Sequence, residues 1–182
     1  MKGIQQKSYG EVRGSFESQV DRRLGKPKEQ AVNGLKEFFE SHGLKYDGKI
    51  HDAQRHILAS IGVSSKINKV LGGSKFTRPI AALLGFGMGS AHEGRSLYSD
   101  VKKKIKGGDK PWGEIFEPMV EDQINNAVGS ILSLWKGTDG DVSNPELISY
   151  INKLTKYLPD GRSSQEAKRN AEIIKQSNNK DI

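Results

Sequence analysis

With 182 residues, 34% of them hydrophobic, the chain carries enough apolar material for one core and too little for two. It has no cysteine, which excludes a disulfide framework, a thiolate zinc site and a thiol nucleophile. Its formal net charge of +7 favours an acidic partner, whether nucleic acid, a phospholipid surface or an anionic cell-wall polymer.

The start, Met1 to Gly25, has no apolar run like that of a signal peptide. The longest apolar stretch, Ile80 to Met88, is interrupted by glycine and too short to span a bilayer. The expectation is a soluble protein without a transmembrane segment, packaged in a virion or delivered into a target cell. Residues 1–25 are polar and broken by Gly3, Gly10, Gly14 and Gly25. They read as a flexible N-terminal arm that a protein partner would order.

From Pro27 a helix is predicted, because proline suits a first helical turn and Ala31, Val32, Leu35, Phe38 and Phe39 follow at helical spacing. Gly43 supplies a left-handed cap, and His42 complements the helix dipole. A turn at Tyr46 to Gly48 leads into a central helix from about Lys49 to Ile61. Gly62 reads as its end, Ser64 as the N-cap of a short segment through Leu71, and Gly72, Gly73 and Ser74 as a flexible joint. The next helix is predicted from Pro79 to about Asp100, carrying Ile80, Leu83, Leu84, Met88 and Leu97. Its Gly85, Gly87, Gly89 and Gly94 each cost about 1 kcal/mol relative to alanine, so something must offset them. Gly85, Gly89, His92 and Ser96 share a stripe, which permits either a close helix crossing or a ligand groove beside His92.

The span Lys102 to Glu117 reads as a loop. Its lysines Lys102, Lys103, Lys104, Lys106 and Lys110 serve either solubility or anion docking, without the aromatic ladder that base stacking requires. After Pro118 a helix is predicted over Met119 to Lys136, with Val120, Ile124, Ala127, Ile131, Leu134 and Trp135 as its apolar stripe and Asp122, Asn125, Asn126 and Gly129 opposite. Asn144 followed by Pro145 opens another, continued by Leu147, Ile148, Ile151, Leu154 and Leu158. Residues 159–182 form a polar C-terminal helix or tail. The fold class is therefore all-α: one compact bundle of about five to seven helices over residues 26–158, flanked by flexible arms.

Three helices each present an unusual polar stripe. Asp52, Arg55, His56 and Ser60 share one face of the central helix, opposite Ile50, Ala53, Ile57 and Ile61. His92 with Glu93, and Asp122 with Asn125 and Asn126, supply the others. Packed around one axis they would gather two imidazoles, three carboxylates and a guanidinium. In that arrangement His56, Asp52, His92, Glu93 and Arg55 are the candidate catalytic residues, and Asp122, Asn125, Asn126 and Ser60 the candidate substrate-binding ones. His56 is either a core histidine satisfied by Asp52 or a general base whose other ring nitrogen Asp52 holds. Arg55 pairs with Asp122 or Glu93, or with a substrate anion. Ser60 lacks the strained elbow of an activated nucleophile. His51 and His56, five residues apart, are poorly placed to share a metal, so no ligand set is assigned and a divalent metal stays an open option. Gly85-x-Gly87-x-Gly89 lacks the preceding strand of a nucleotide-binding loop, and no helix-turn-helix pattern is present.

The ordered set Asp52-x-x-Arg55-His56, Ala91-His92-Glu93 and Asp122-x-x-Asn125-Asn126-x-x-Gly129 resembles a family of uncharacterised all-helical domains. These occur at the tips of Rhs-type and wall-associated polymorphic toxins and in phage-encoded proteins. The resemblance covers about residues 51–130 and implies a polar centre in an effector or virion setting. Two function classes follow. One is a small effector-type hydrolase acting on a cell-envelope or phosphodiester linkage. The other is a non-enzymatic phage virion or ejected protein that binds DNA, membrane or other subunits through its basic surface.

Overall fold

A computed structural model describes residues 24–135, 141–155, 157 and 158, with a few isolated positions toward either end. The arm and the tail expected from the sequence lie almost wholly outside the described residues. Among those described there are five helices and no strand: α1 (Pro27–Ser41), α2 (Asp52–Val70), α3 (Arg78–Ile105), α4 (Trp112–Trp135) and α5 (Pro145–Thr155). α1 packs with α5 and α3 with α4, and α2 lies between the two pairs, touching all four.

Local chemistry sets several boundaries. Pro27 opens α1, and Gly43, at φ 69°, closes it while the Leu44 amide donates to the Phe39 carbonyl at 2.9 Å. The His42 ring caps the same end through Nδ1, 2.7 Å from the Phe38 carbonyl oxygen. Asn144 caps α5, its Oδ1 accepting from the Glu146 amide at 2.8 Å. The core lies on the α1–α5 side of α2, where Leu35, Phe39, Ile57, Leu58, Ile61, Ile148 and Ile151 are fully buried. There Gln54 Nε2 donates to Asn152 Oδ1 at 3.2 Å, a buried polar link between α2 and α5 that periodicity gave no reason to expect.

Three expectations are corrected by packing. Gly62 does not end the central helix, which continues to Val70. A Cβ at Gly62 would lie 3.0 Å from Val142 and 3.1 Å from Pro27, so glycine is there to admit neighbours and not to break the helix. The expected loop over Lys102 to Glu117 is mostly helical. α3 runs to Ile105, and α4 starts at Trp112, with Pro118 inside it, because Ile115 is buried and Trp112 stacks on Phe116 at 5.8 Å. The third correction concerns which face turns inward. On α3 the inward residues are Ala81, Ala82, Gly85 and Glu93, and Ile80, Leu83 and Leu84 face outward. On α4 Val120 and Ile131 are half-exposed, whereas Asn125, Asn126, Ser130 and Ser133 are buried. The facing surface of α2 carries Ser60, Ser64 and Ser65, all buried, and this close crossing admits only small or hydrogen-bonding partners.

His51 is buried against Phe39 and Tyr46, with ring centroids 4.0 and 5.6 Å away, and its Nδ1 sits 3.1 Å from the Asp47 carbonyl oxygen. Burial holds its pKa below the ordinary 6.5, the hydrogen bond to Asp47 opposing only in part. The unfolded chain therefore takes up a proton near pH 6.5 while the folded chain resists it, so this residue's contribution to stability is lost as pH falls below 6.5. Thermal unfolding midpoints should fall more steeply below pH 6.5 in the wild type than in His51→Gln. Parallel pH profiles of the two proteins would refute this.

Candidate functional site

The polar stripes of α2, α3 and α4 meet around the imidazole of His56, whose side chain is 14% exposed. On the Nε2 side stand Asp52 Oδ1 at 3.6 Å and Asp122 Oδ1 at 3.4 Å. On the Nδ1 side stand Asn126 Oδ1 at 3.3 Å and Glu93 Oε1 at 3.9 Å. Asn126 Oδ1 is thus within hydrogen-bond distance of Nδ1, and Nε2 faces the carboxyl groups of Asp52 and Asp122. Ser60 Oγ donates to Asn126 Oδ1 at 3.0 Å and fixes the amide from below.

Glycines bring the helices this close. At Gly89 a Cβ would lie 2.9 Å from Asn126 Cγ, and at Gly129 it would lie 2.7 Å from Ser60 Cβ and against the Ile57 carbonyl oxygen. Gly85, Gly89 and Glu93 follow at four-residue spacing, so the stripe that admits α2 and α4 ends on the carboxylate that reaches His56. Beside it Ser90 Oγ donates to Gln123 Oε1 at 2.6 Å and ties α3 to α4, a link without a sequence signal beyond its place next to the polar stripes.

The electrostatics follow from crowding. Asp122 is pushed up to about 8, first by burial, then by the charges of Asp52 and Glu93 and a hydrogen bond with Glu93; Arg55 pulls the other way. Near neutral pH a proton is therefore retained between the hydrogen-bonded Asp122 and Glu93 carboxyls. One ligand atom each from Asp52, His56 and Asp122 lie within 4.8 Å of one another, a spacing that a small divalent cation can bridge in place of that proton. The Nε2 side is the open one: Asp52 is 38% exposed and Arg55 41% exposed.

The individual residues fall as follows. Asp52, His56, Glu93, Asp122 and Asn126 come together. Arg55 pairs with Asp52, one turn back on α2, in place of the expected Asp122 or Glu93. Glu93 is the α3 side chain that meets His56, and His92 lies half-buried one step round the helix. Ser60, Asn125 and Asn126 are buried; Asn126 meets the ring at Nδ1 and Ser60 holds Asn126 in turn. Asn125 Oδ1 and Asn126 Nδ2 find no hydrogen-bond partner there. Compared with known proteins, the chain matches no family model, no curated protein and no solved structure.

Proposed function

We propose that this three-helix centre is a hydrolytic acid–base site acting on an anionic linkage, a phosphodiester or a bond of a cell-envelope polymer. The observation that carries the reading is geometric: the carboxyls of Asp122 and Asp52 stand 3.4 and 3.6 Å from Nε2 of His56 while Nδ1 faces Asn126, and burial with the neighbouring charges raises the Asp122 carboxyl to about 8. In this scheme Nε2 of His56 takes a proton from water as the hydroxide adds to the phosphorus or carbonyl centre. Asp122 gives its proton to the leaving oxygen. The proton then passes from His56 back to Asp122, so the cycle closes with one water consumed. Arg55, held at the rim by Asp52, faces the anionic group, and the net charge of +7 favours such a substrate. The ordered motif set supports an effector or phage setting for this activity.

The test is turnover by the purified protein on nucleic-acid, phospholipid and wall-polymer substrates, together with growth arrest on expression in a bacterial host. His56→Gln is expected to lower turnover about 100-fold or more while far-UV circular dichroism stays unchanged. Chelation separates two forms of the same chemistry. Activity that survives it is pure acid–base catalysis, and activity lost and restored by added divalent metal means that a cation replaces the shared proton.

A second reading is favoured by the buried hydrogen bonds that join Ser60 and His56 to Asn126 and by the glycine crossings. They suit a polar network that fixes the packing of a non-enzymatic virion component. That reading gains if wild type turns over nothing and His56→Gln simply melts earlier.

A further inference from the structure

We infer that the tip of the α2–α3 hairpin is a membrane-docking element that seats on an anionic phospholipid surface. From Ala53 to His92 the chain contains no aspartate or glutamate, yet it carries Arg55, Lys66, Lys69, Lys75 and Arg78. Lys66 turns back to α1, donating to the Gly25 carbonyl and Gln30 Oε1, each at 3.0 Å, whereas Lys69, Lys75 and Arg78 stand within a few residues of the hairpin turn. Gly72 and Gly73, at φ 101° and 70°, make the tight reversal there, and the Gly73 amide donates to the Asn68 carbonyl at 2.8 Å. Thr77 Oγ1 donates to Asn68 Oδ1 at 2.6 Å and holds the two helix ends together, with Val70 and Leu71 at the end of α2 and Phe76 ahead of α3 all exposed, Phe76 to 80%. Because α3 turns Ala81, Ala82 and Gly85 inward, Ile80, Leu83 and Leu84 extend the same apolar crest along its outer face, Leu83 being 70% exposed.

An apolar crest of this size, flanked by cations and free of acids, has the chemistry of an interfacial anchor: aliphatic and aromatic groups enter the acyl boundary while lysine and arginine stay at headgroup level. Lys75 illustrates the arrangement, its Nζ lying over the Phe76 ring at 5.4 Å. The charge pattern selects among occupants. A second copy docked tip to tip would oppose cations with cations and offer no acid in the patch to pair them. Nucleic acid would use the cations but leave the aliphatic crest wet. Anionic lipid satisfies both. No helix among the described residues is long and apolar enough to cross a membrane, and the mode inferred for the tip is interfacial. Leu71 is about 20 Å along α2 from His56, so the inference stands apart from the hydrolytic reading.

The experiment is cosedimentation of the full chain with phosphatidylcholine vesicles, with and without phosphatidylserine. Binding should require phosphatidylserine and weaken with salt. Lys75→Ala with Arg78→Ala should lower partitioning at least tenfold. Phe76→Ser with Leu83→Ser should do the same. Helical content should be unchanged in both, and His56→Gln should bind like wild type. The inference is overturned if wild type ignores phosphatidylserine, if the Phe76 and Leu83 variant binds equally well, if Leu83→Ser instead dissolves a dimer, or if duplex DNA binding responds to the cation variant alone.

Discussion

Gly129→Ala is expected to destabilise the protein by about 2–3 kcal/mol, although alanine is the better helix former by about 1 kcal/mol. The added methyl would meet backbone as well as side chain, the Ile57 carbonyl oxygen and Ser60 Cβ at 2.7 Å, and neither can swing aside. α4 must then move away from α2. Asp122 and Asn126, on the two turns before Gly129, would move with it, so the separation should also loosen the groups around His56. The control lies on α3. At Gly87 and Gly94 a Cβ has nothing within 4 Å, so alanine there should stabilise by up to about 1 kcal/mol. Denaturant unfolding of the three single variants settles the matter by sign. If Gly129→Ala proves as stable as Gly87→Ala, the close crossing of α2 and α4 is wrong.

These glycines also show why parts of the fold were legible and parts were not. Asn144 with Pro145, and Pro27 with Gly43, declare helix ends through backbone chemistry that acts within one turn, so the start of α5 and both ends of α1 follow from the sequence, whereas α5 stops at Thr155, short of the expected Leu158. Gly62 carries the same local signal as Gly43 yet sits inside a helix, because its role is to admit Val142 and Pro27 from distant parts of the chain. Pro118 sits inside a helix for the same reason: burial of Ile115 outweighs a local breaker. Periodicity groups residues by face but does not say which face turns inward. On α3 the larger aliphatic face reads as core, and only the serine-lined surface of α2 reverses that assignment. Within the site, helical spacing puts Asp52, Arg55, His56 and Ser60 on one face, but whether His92 or Glu93 meets it depends on the rotation of α3. That rotation is set by Gly85 against Ser64 and Gly89 against Asn126.

Asp122→Asn should separate stability from function more sharply than any other single change. In the unfolded chain this carboxyl ionises near 3.8, and in the folded chain only near 8, so between those values the folded state holds a proton that the unfolded state has released. The folded state therefore binds more protons across that window, and Asp122 makes stability fall as pH rises from 3.8 to 8. Asparagine carries no such proton, yet its amide can still donate to Glu93 as the protonated carboxyl does. The variant should then be more stable than wild type at pH 8 by about 1–3 kcal/mol, a figure reduced for the partial solvent contact of the site. The gain should vanish below pH 3.8, where both forms are neutral. This slope is opposite in sign to the one His51 imposes below pH 6.5, so the two single variants resolve contributions that partly cancel in the wild-type curve. Because an amide transfers no proton to a leaving oxygen, the same substitution should cost about 100-fold or more in turnover. Unfolding curves at several pH values and a turnover assay on one preparation decide both halves. A variant that is less stable at pH 8 would remove the raised carboxyl, and one that is stabilised but fully active would remove Asp122 from the chemistry.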